Sequence, residues 1–234
     1  RVAELLSAAF AGSDAELLAL AADWVAERAD PEVVRILGER LPSLSPAGQV
    51  ALLEALRVSG GKAGASVARN ALSSPGAEVR TAALRAMGSL GDSSDLPVLL
   101  RLCASQREPE SAAARFALAN LPGTEVDDLL ARRLQDPGPE AVVLLQTLAA
   151  RHSADATEAT LSFLKEPGAA RVAALEALAV LGDEHQLPAL ISLLNDPETA
   201  AREAAQRTLE SIVARTRVRS LEAINAAYQT GDSA

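Results

Sequence analysis

Aromatic residues are almost missing from this chain. One Trp, one Tyr and three Phe make up 2% of its 234 residues. A base-stacking surface needs several aromatics on a basic groove, so single-stranded nucleic-acid recognition is disfavoured. The charge points the same way. Against 31 Asp and Glu stand 22 Lys and Arg, a net charge of −9. The densest basic cluster is Arg215, Arg217 and Arg219, where a nucleic-acid binder carries a basic stripe. A single cysteine, Cys103, excludes an intrachain disulfide and leaves the redox compartment open. Only two histidines occur, His152 and His185, with no Cys or carboxylate cluster at metal-ligand spacing beside them. No apolar run approaches the ~20 residues of a membrane span, and no signal peptide is visible. A glycine-rich phosphate loop ending in Lys-Ser/Thr, G-x-S-x-G, C-x-x-C and H-E-x-x-H are all absent. No cofactor, metal or catalytic residue is therefore expected, and the compartment is left open.

What is present is aliphatic. Hydrophobic residues are 49% of the chain, nearly all Ala, Leu and Val, a composition that favours helix. Twelve prolines and fourteen glycines then belong mostly in turns, because proline breaks a helix interior. The turns recur on a clock. Leu84, Ala86, Leu90, Gly91 and Asp92 reappear as Leu175, Ala177, Leu181, Gly182 and Asp183, and Leu96-Pro97 reappears as Leu187-Pro188. The common offset is 91 residues, or three units of about thirty. Pro137, Pro167 and Pro197 keep the same beat, each in a short polar turn.

Between the turns, apolar residues fall on one helical face, as with Leu187, Leu190, Ile191 and Leu194. The spacing predicts helix pairs at 2–11 with 14–28, 31–41 with 46–58, 64–72 with 77–90, and 94–104 with 110–121. Further pairs follow at 125–135 with 139–151, 154–165 with 169–181, and 185–194 with 199–214, and a last helix at 219–229. Ser13 and Glu16 read as a capping box at a helix start. Gly91 and Gly182 read as left-handed helix ends. The stretch from Gly60 to Gly64 reads as a long turn. No pair can bury its apolar stripe alone, but a stack buries it continuously. The expected architecture is all-α: a right-handed α-α superhelix of about seven helical hairpins, a single array over 1–234.

The run from Val79-Arg80-Thr81-Ala82-Ala83-Leu84 to Gly91-Asp92 resembles a HEAT repeat. So do the run from Ala170-Arg171-Val172 to Gly182-Asp183 and the run from Asp196-Pro197 to Ala201-Arg202. The likeness is to the armadillo-like solenoids, and within them to the bacterial phycobilisome-lyase type. It is strongest over 73–215 and weaker over 1–72. It departs from the pattern at Leu121-Pro122-Gly123, where proline replaces the usual Gly-Asp ending. The resemblance implies protein–protein scaffolding and, for a subset of the family, a bilin lyase or isomerase role. It also implies that second helices line a concave face. The candidate partner-binding residues on that face are Thr81, Arg85, Phe116, Gln146, Glu176, Gln206 and Glu210.

Phe116 stands in a column otherwise filled by Arg85, Gln146, Glu176 and Gln206. It reads either as an exposed anchor, since hot spots favour rigid aromatics, or as buried by a local exchange with Arg115. Trp24 reads as core or end packing, Cys103 as a small buried hydrophobe, and the histidines as exposed turn residues. Arg80, Arg171 and Arg202 read as a ladder pairing with acids of neighbouring repeats, such as Asp136 or Asp196. The functional expectation is a scaffold for a protein or peptide, or a spacer between flanking domains of one polypeptide, with the bilin role as the alternative. Alkylated-DNA recognition fits poorly, for want of basic and aromatic residues. The apolar faces of the first and last helices suggest a segment of a longer protein.

Overall fold

In the computed structural model, residues 1–28, 30–136 and 138–216 are described. Pro137 and the helix expected at 219–229 lie outside them. Among the described residues there are fourteen α-helices and no strand, and in chain order they fall into seven successive pairs. They are α1 (Val2–Ala11) with α2 (Ala15–Arg28), α3 (Pro31–Arg40) with α4 (Pro46–Ser59), and α5 (Lys62–Ala71) with α6 (Ala77–Leu90). Next come α7 (Leu96–Cys103) with α8 (Glu110–Asn120) and α9 (Glu125–Leu134) with α10 (Ala141–Ala150). Last are α11 (Thr157–Ser162) with α12 (Ala169–Leu181), and α13 (Leu187–Ser192) with α14 (Thr199–Thr216). The helices group into two compact units, Arg1–Val126 and Asp127 onward, where one uninterrupted array is expected. The dividing point lies just past Leu121-Pro122-Gly123.

In the first unit the second helices pack in a row, α2 on α4, α4 on α6 and α6 on α8, with α1 on α3 and α3 on α5 alongside. Leu52, Leu53, Leu56, Leu84, Met87 and Leu118 are fully buried in the seam. Each contributes about 1.5–3 kcal/mol of apolar burial. Small residues set the spacing. A Cβ on Gly88 would stand 3.1 Å from the Cα of Ala117 in the next second helix. In the second unit α10 packs on α12 and α12 on α14, around Leu144, Leu145, Leu148, Leu175, Leu178 and Ile212. There the buried hydroxyl of Thr208 lies 2.8 Å from the carbonyl oxygen of Leu175, across the helix seam.

Several helix ends differ from the sequence reading. Asp14, not Ser13, caps α2: its Oδ1 accepts from the amides of Glu16 (2.9 Å) and Leu17 (3.1 Å). Asp has the stronger charge for a helix N-terminus, and it sits one residue nearer. Complete capping boxes occur instead in the short 3₁₀ turns that open α7 and precede α13, at Asp92 with Asp95 and at Asp183 with Gln186. The glycine run shortens to Gly60 and Gly61, at φ +70° and +110°, while Gly64 is buried inside α5. Gly91 and Gly182 are extended, at φ −70° and −76°, and not left-handed. Space explains them. A Cβ on Gly91 would lie 2.7 Å from the Met87 carbonyl oxygen and 2.8 Å from Leu121, and one on Gly182 would lie 2.7 Å from the Leu178 carbonyl oxygen. The helices expected at 154–165 and 185–194 keep their apolar period but tighten into 3₁₀ turns on both sides of α11 and α13.

The arginine column is real, and its constant partner is the preceding turn. Arg80 Nη1 donates to the carbonyls of Ser74 (2.7 Å) and Pro75 (2.8 Å). Arg202 Nη1 repeats this with Asp196 (2.7 Å) and Pro197 (3.1 Å), and Arg171 Nε donates to Glu166 (2.8 Å). The rest of each guanidinium varies. Arg80 reaches Glu110 at 2.6 Å and Arg171 reaches Asp196 at 2.5 Å, both carboxylates of the following repeat. Arg202 reaches Thr199 at 2.9 Å. Asp136 is not a partner of this column. A second set, Arg69 with Asp92 and Asp95 and Arg151 with Asp127, ties first helices to turns within each unit.

Candidate partner-binding face

The second helices bury two of every few residues against their neighbours and leave one column outside. In α6, Ala83, Leu84, Ala86 and Met87 are buried and Arg85 is exposed. In α12, Leu175 and Ala177 are buried and Glu176 is exposed. Gln146 in α10 and Gln206 and Glu210 in α14 are exposed on the same pattern. Thr81 does not belong to the exposed column, contrary to its reading from the sequence. It is 6% exposed, with its hydroxyl turned back on the Ala77 carbonyl at 2.8 Å. One turn before Arg85, the small threonine has been drawn into the seam, where its own helix satisfies the hydroxyl.

Phe116 is 49% exposed. The exchange with Arg115 does not occur, because Arg115 is also outside and bonds Glu108 at 2.7 Å. Phe116 closes a shallow pocket of about 280 Å³ with Glu54 and Arg57 of α4 and Arg85 of α6. Three consecutive second helices of the first unit thus contribute to one spot. Arg57 Nε is held by Glu54 at 2.8 Å, whereas Arg85 has no ion pair among the described residues. The pocket therefore offers an aromatic face beside an uncompensated guanidinium. In the second unit Gln206 Nε2 donates to Glu210 at 2.9 Å, and Glu176 lies 4.0 Å from Arg207.

The residues weighed for chemistry are dispersed. His185 is exposed, with Nδ1 2.9 Å from Asp183 Oδ1, and His152 ends α10 at φ +55°. Cys103 is buried, and burial pushes its thiol up to about 11 against a smaller opposing effect of Arg115. Among the described residues no group of three or more His, Cys, Asp and Glu could hold a metal ion, and no helix is long and apolar enough to cross a membrane.

The apolar face read on the first helix extends onto α2. Trp24 does pack at the end of the first unit, but it lines an apolar groove of about 270 Å³ with Val2, Leu5, Leu17 and Leu20. The sequence signal was there, as i, i+3, i+4, i+7 spacing in α1 and α2. Spacing alone does not say whether a face is covered.

Helical pairs repeating every thirty residues, with second helices packed in rows, define an all-α helical-repeat protein of the solenoid class. Residues 35–119 match the model for HEAT repeats, and residues 170–196 match the model for the PBS lyase HEAT-like repeat. The chain therefore carries HEAT repeats in both units, over these two stretches. No curated protein matches it. Among solved structures it is similar to an engineered protein, at 20% identity over 97% of this chain and 72% of that one, TM-score 0.43. It is similar to human deoxyhypusine hydroxylase in complex with glycerol, at 20% identity over 91% and 84%, TM-score 0.41. It is also similar to the complex of CpcE and CpcF of phycocyanin lyase from Nostoc sp. PCC7120, at 18% identity over 97% and 94%, TM-score 0.38. With TM-scores below 0.5, these likenesses bear on neither activity nor partner.

Proposed function

We propose that the protein is a non-catalytic scaffold that binds a protein or peptide on the exposed column of second helices within each of its units. Arg85 and Phe116 carry the contact in the first unit, and Gln146, Glu176, Gln206 and Glu210 carry it in the second. The observation that supports this most is Phe116, half-exposed in a position that its repeat-mates fill with Arg, Gln or Glu. A core explanation fails for it, since Ala117 and Leu118 already fill the seam. Rigid aromatics beside Arg are the residue types that dominate interface energetics. The column mixes charges, so affinity should depend only modestly on salt.

The test is partner capture by the intact chain and by three variants, Phe116→Ala, Arg85→Glu and Glu176→Arg. All three side chains are exposed, so the melting curve should not move. Truncating an interface anchor typically weakens binding by a factor of ten or more, about 1.4 kcal/mol or above. A captured partner that is retained equally by all three variants would show that this column is not the binding face.

A further inference from the structure

We propose a second binding site, a crevice between two successive turns of the second unit, that takes an arginine side chain of a partner protein. It lies apart from the exposed column and does not rest on that reading. The crevice has a volume of about 800 Å³, and Leu134, Ala141, Asp155, Glu158, Phe163 and Glu166 line it. That is the size of a ligand pocket. Its walls are the α9–α10 turn and the α11–α12 pair.

The repeat itself shows what belongs there. From the start of α12, Arg171 Nε donates to the Glu166 carbonyl at 2.8 Å and Nη1 reaches the Asp196 carboxylate of the next turn at 2.5 Å. Arg80 makes the same bridge to Glu110 at 2.6 Å. Thirty residues before Arg171 stands Ala141, in the register that also sets Leu145 against Leu175 and Leu148 against Leu178. Thirty residues before Asp196 stands Glu166, and a proline follows each of them. The acceptor of the ion pair is present at this turn and its arginine is missing. Glu166 is exposed, as are Asp155 and Glu158 across the crevice, and none of the three is in an ion pair among the described residues. No Lys or Arg lines the crevice. Acids on an open helix face are merely solvated. Here they border a hollow at the place where the repeat elsewhere puts a guanidinium.

The first unit separates space from charge. Gln49 stands 31 residues before Arg80, and a crevice of about 370 Å³ opens beside it too. Gln49 Nε2 ties down its own turn, at the Leu44 carbonyl (3.1 Å). The residue ahead of the facing turn proline is Ser74, and no carboxylate lines that crevice. It offers room without charge. The occupant of the acidic crevice is arginine and not lysine for the reason Arg171 displays: a planar fork meets a carboxylate and a second acceptor at once. Its aliphatic stem gains from the apolar wall at Leu134 and Phe163.

The probe is a short capped peptide, Gly-Leu-Arg-Leu-Gly, with twins carrying Lys or citrulline at the centre. Backbone amide NMR of the intact chain reads both affinity and place. The Arg peptide should shift the amides of Ala141, Phe163 and Glu166 in a saturable way. The citrulline twin, equal in shape and uncharged, should bind about tenfold more weakly, because hydrogen bonds to a charged group are the strong ones. The Lys twin should fall between them. Glu166→Gln, at an exposed position, should leave the thermal melt unchanged and weaken the Arg peptide about tenfold. Ala141→Arg should supply the missing side chain from within, raising the urea midpoint and abolishing the peptide shifts. Absence of saturable shifts overturns the proposal, as does equal binding of the Arg and citrulline peptides or of the Arg and Lys peptides. Binding that survives Ala141→Arg or Glu166→Gln unchanged overturns it too. Equal shifts at Gln49 and Val79 would show that room alone suffices, and spermidine binding as tightly as the Arg peptide would make the crevice a general cation trap; either result also overturns it.

Discussion

Gly48 should be the least replaceable small residue of the first unit. It lies in the first turn of α4, pressed on the end of α1. A Cβ there would stand 1.8 Å from the carbonyl oxygen of Phe10, 2.7 Å from its carbon and 3.0 Å from its Cα. All three are backbone atoms, so no side chain can swing away. The same carbonyl receives the amide of Ser45 at 3.2 Å and lies 2.9 Å from its hydroxyl, while that hydroxyl accepts the Gly48 amide at 3.0 Å. Gly48→Ala must therefore push α4 from α1 and stretch this knot of bonds. Helix propensity returns about 1 kcal/mol. Overpacking costs roughly 1–3 kcal/mol, and each weakened hydrogen bond about 1 kcal/mol. The expected net loss is about 2 kcal/mol, on the summation of these ranges. Gly12→Ala is the control, because its Cβ would meet nothing closer than the Ala9 carbonyl oxygen at 3.4 Å. Urea unfolding gives the size, and hydrogen exchange gives the place, since repeat stacks need not unfold in one step. Protection should fall in α1 and α4 and persist in α12 and α14. A Gly48→Ala protein as stable as the control would refute the close approach of α1 and α4.

Three further outcomes follow from single contacts. The carboxyl of Glu110 is held below the usual range, chiefly by its hydrogen bond from Arg80 and against the effect of burial. A folded pKa below the unfolded value, near 4.3, stabilises above that pH and is lost as pH falls through the folded pKa. Stability of Glu110→Gln should therefore depend less on pH than the parent in the acid range, measured by urea midpoints at a series of pH values; parallel curves would contradict the pairing. Gly91→Ala should lower the urea midpoint by about 1–3 kcal/mol of stability, because the Met87 carbonyl cannot move away, and an unchanged midpoint would show that the α6 end is not tight. Cys103, buried and with its thiol pushed up to about 11, should react with a thiol reagent at pH 8 only as fast as the first unit opens; prompt labelling of the folded protein would place it at the surface.

The period of thirty made the architecture legible, because a fold of stacked pairs is written in recurrence: Leu84 and Leu175, Gly91 and Gly182, Leu96-Pro97 and Leu187-Pro188. Helix bounds came within a few residues for the same reason. What recurrence does not carry is the neighbour. Gly91 was legible as special, but the reason lay in the Leu121 side chain and Met87 carbonyl that crowd it, not in its own φ. Thr81 sits one turn before Arg85, and only the packing of α6 separates a buried hydroxyl from an exposed guanidinium. Leu17 and Leu20 have the spacing of a core stripe and lie in the open.

The arginine column shows where that limit falls. Arg80, Arg171 and Arg202 occupy one register position, and the turn before each helix is short, so each guanidinium finds a turn carbonyl five or six residues back. That local part is determined by the repeat itself. The outward part is not: Glu110 answers Arg80 and Asp196 answers Arg171, while Arg202 settles on Thr199. A guanidinium spreads its donors over a planar fork, so one nitrogen satisfies the turn while another bridges to the next repeat, whereas a lysine holds all three of its donors on a single nitrogen. The column's conserved task within this chain is thus to tie down each inter-helix turn. Coupling between successive repeats is an addition that depends on which acid happens to lie in reach. The exposed column beside it, Arg85 and Phe116 in the first unit, makes no such tie to a turn, and for that reason the proposed partner contact is placed there.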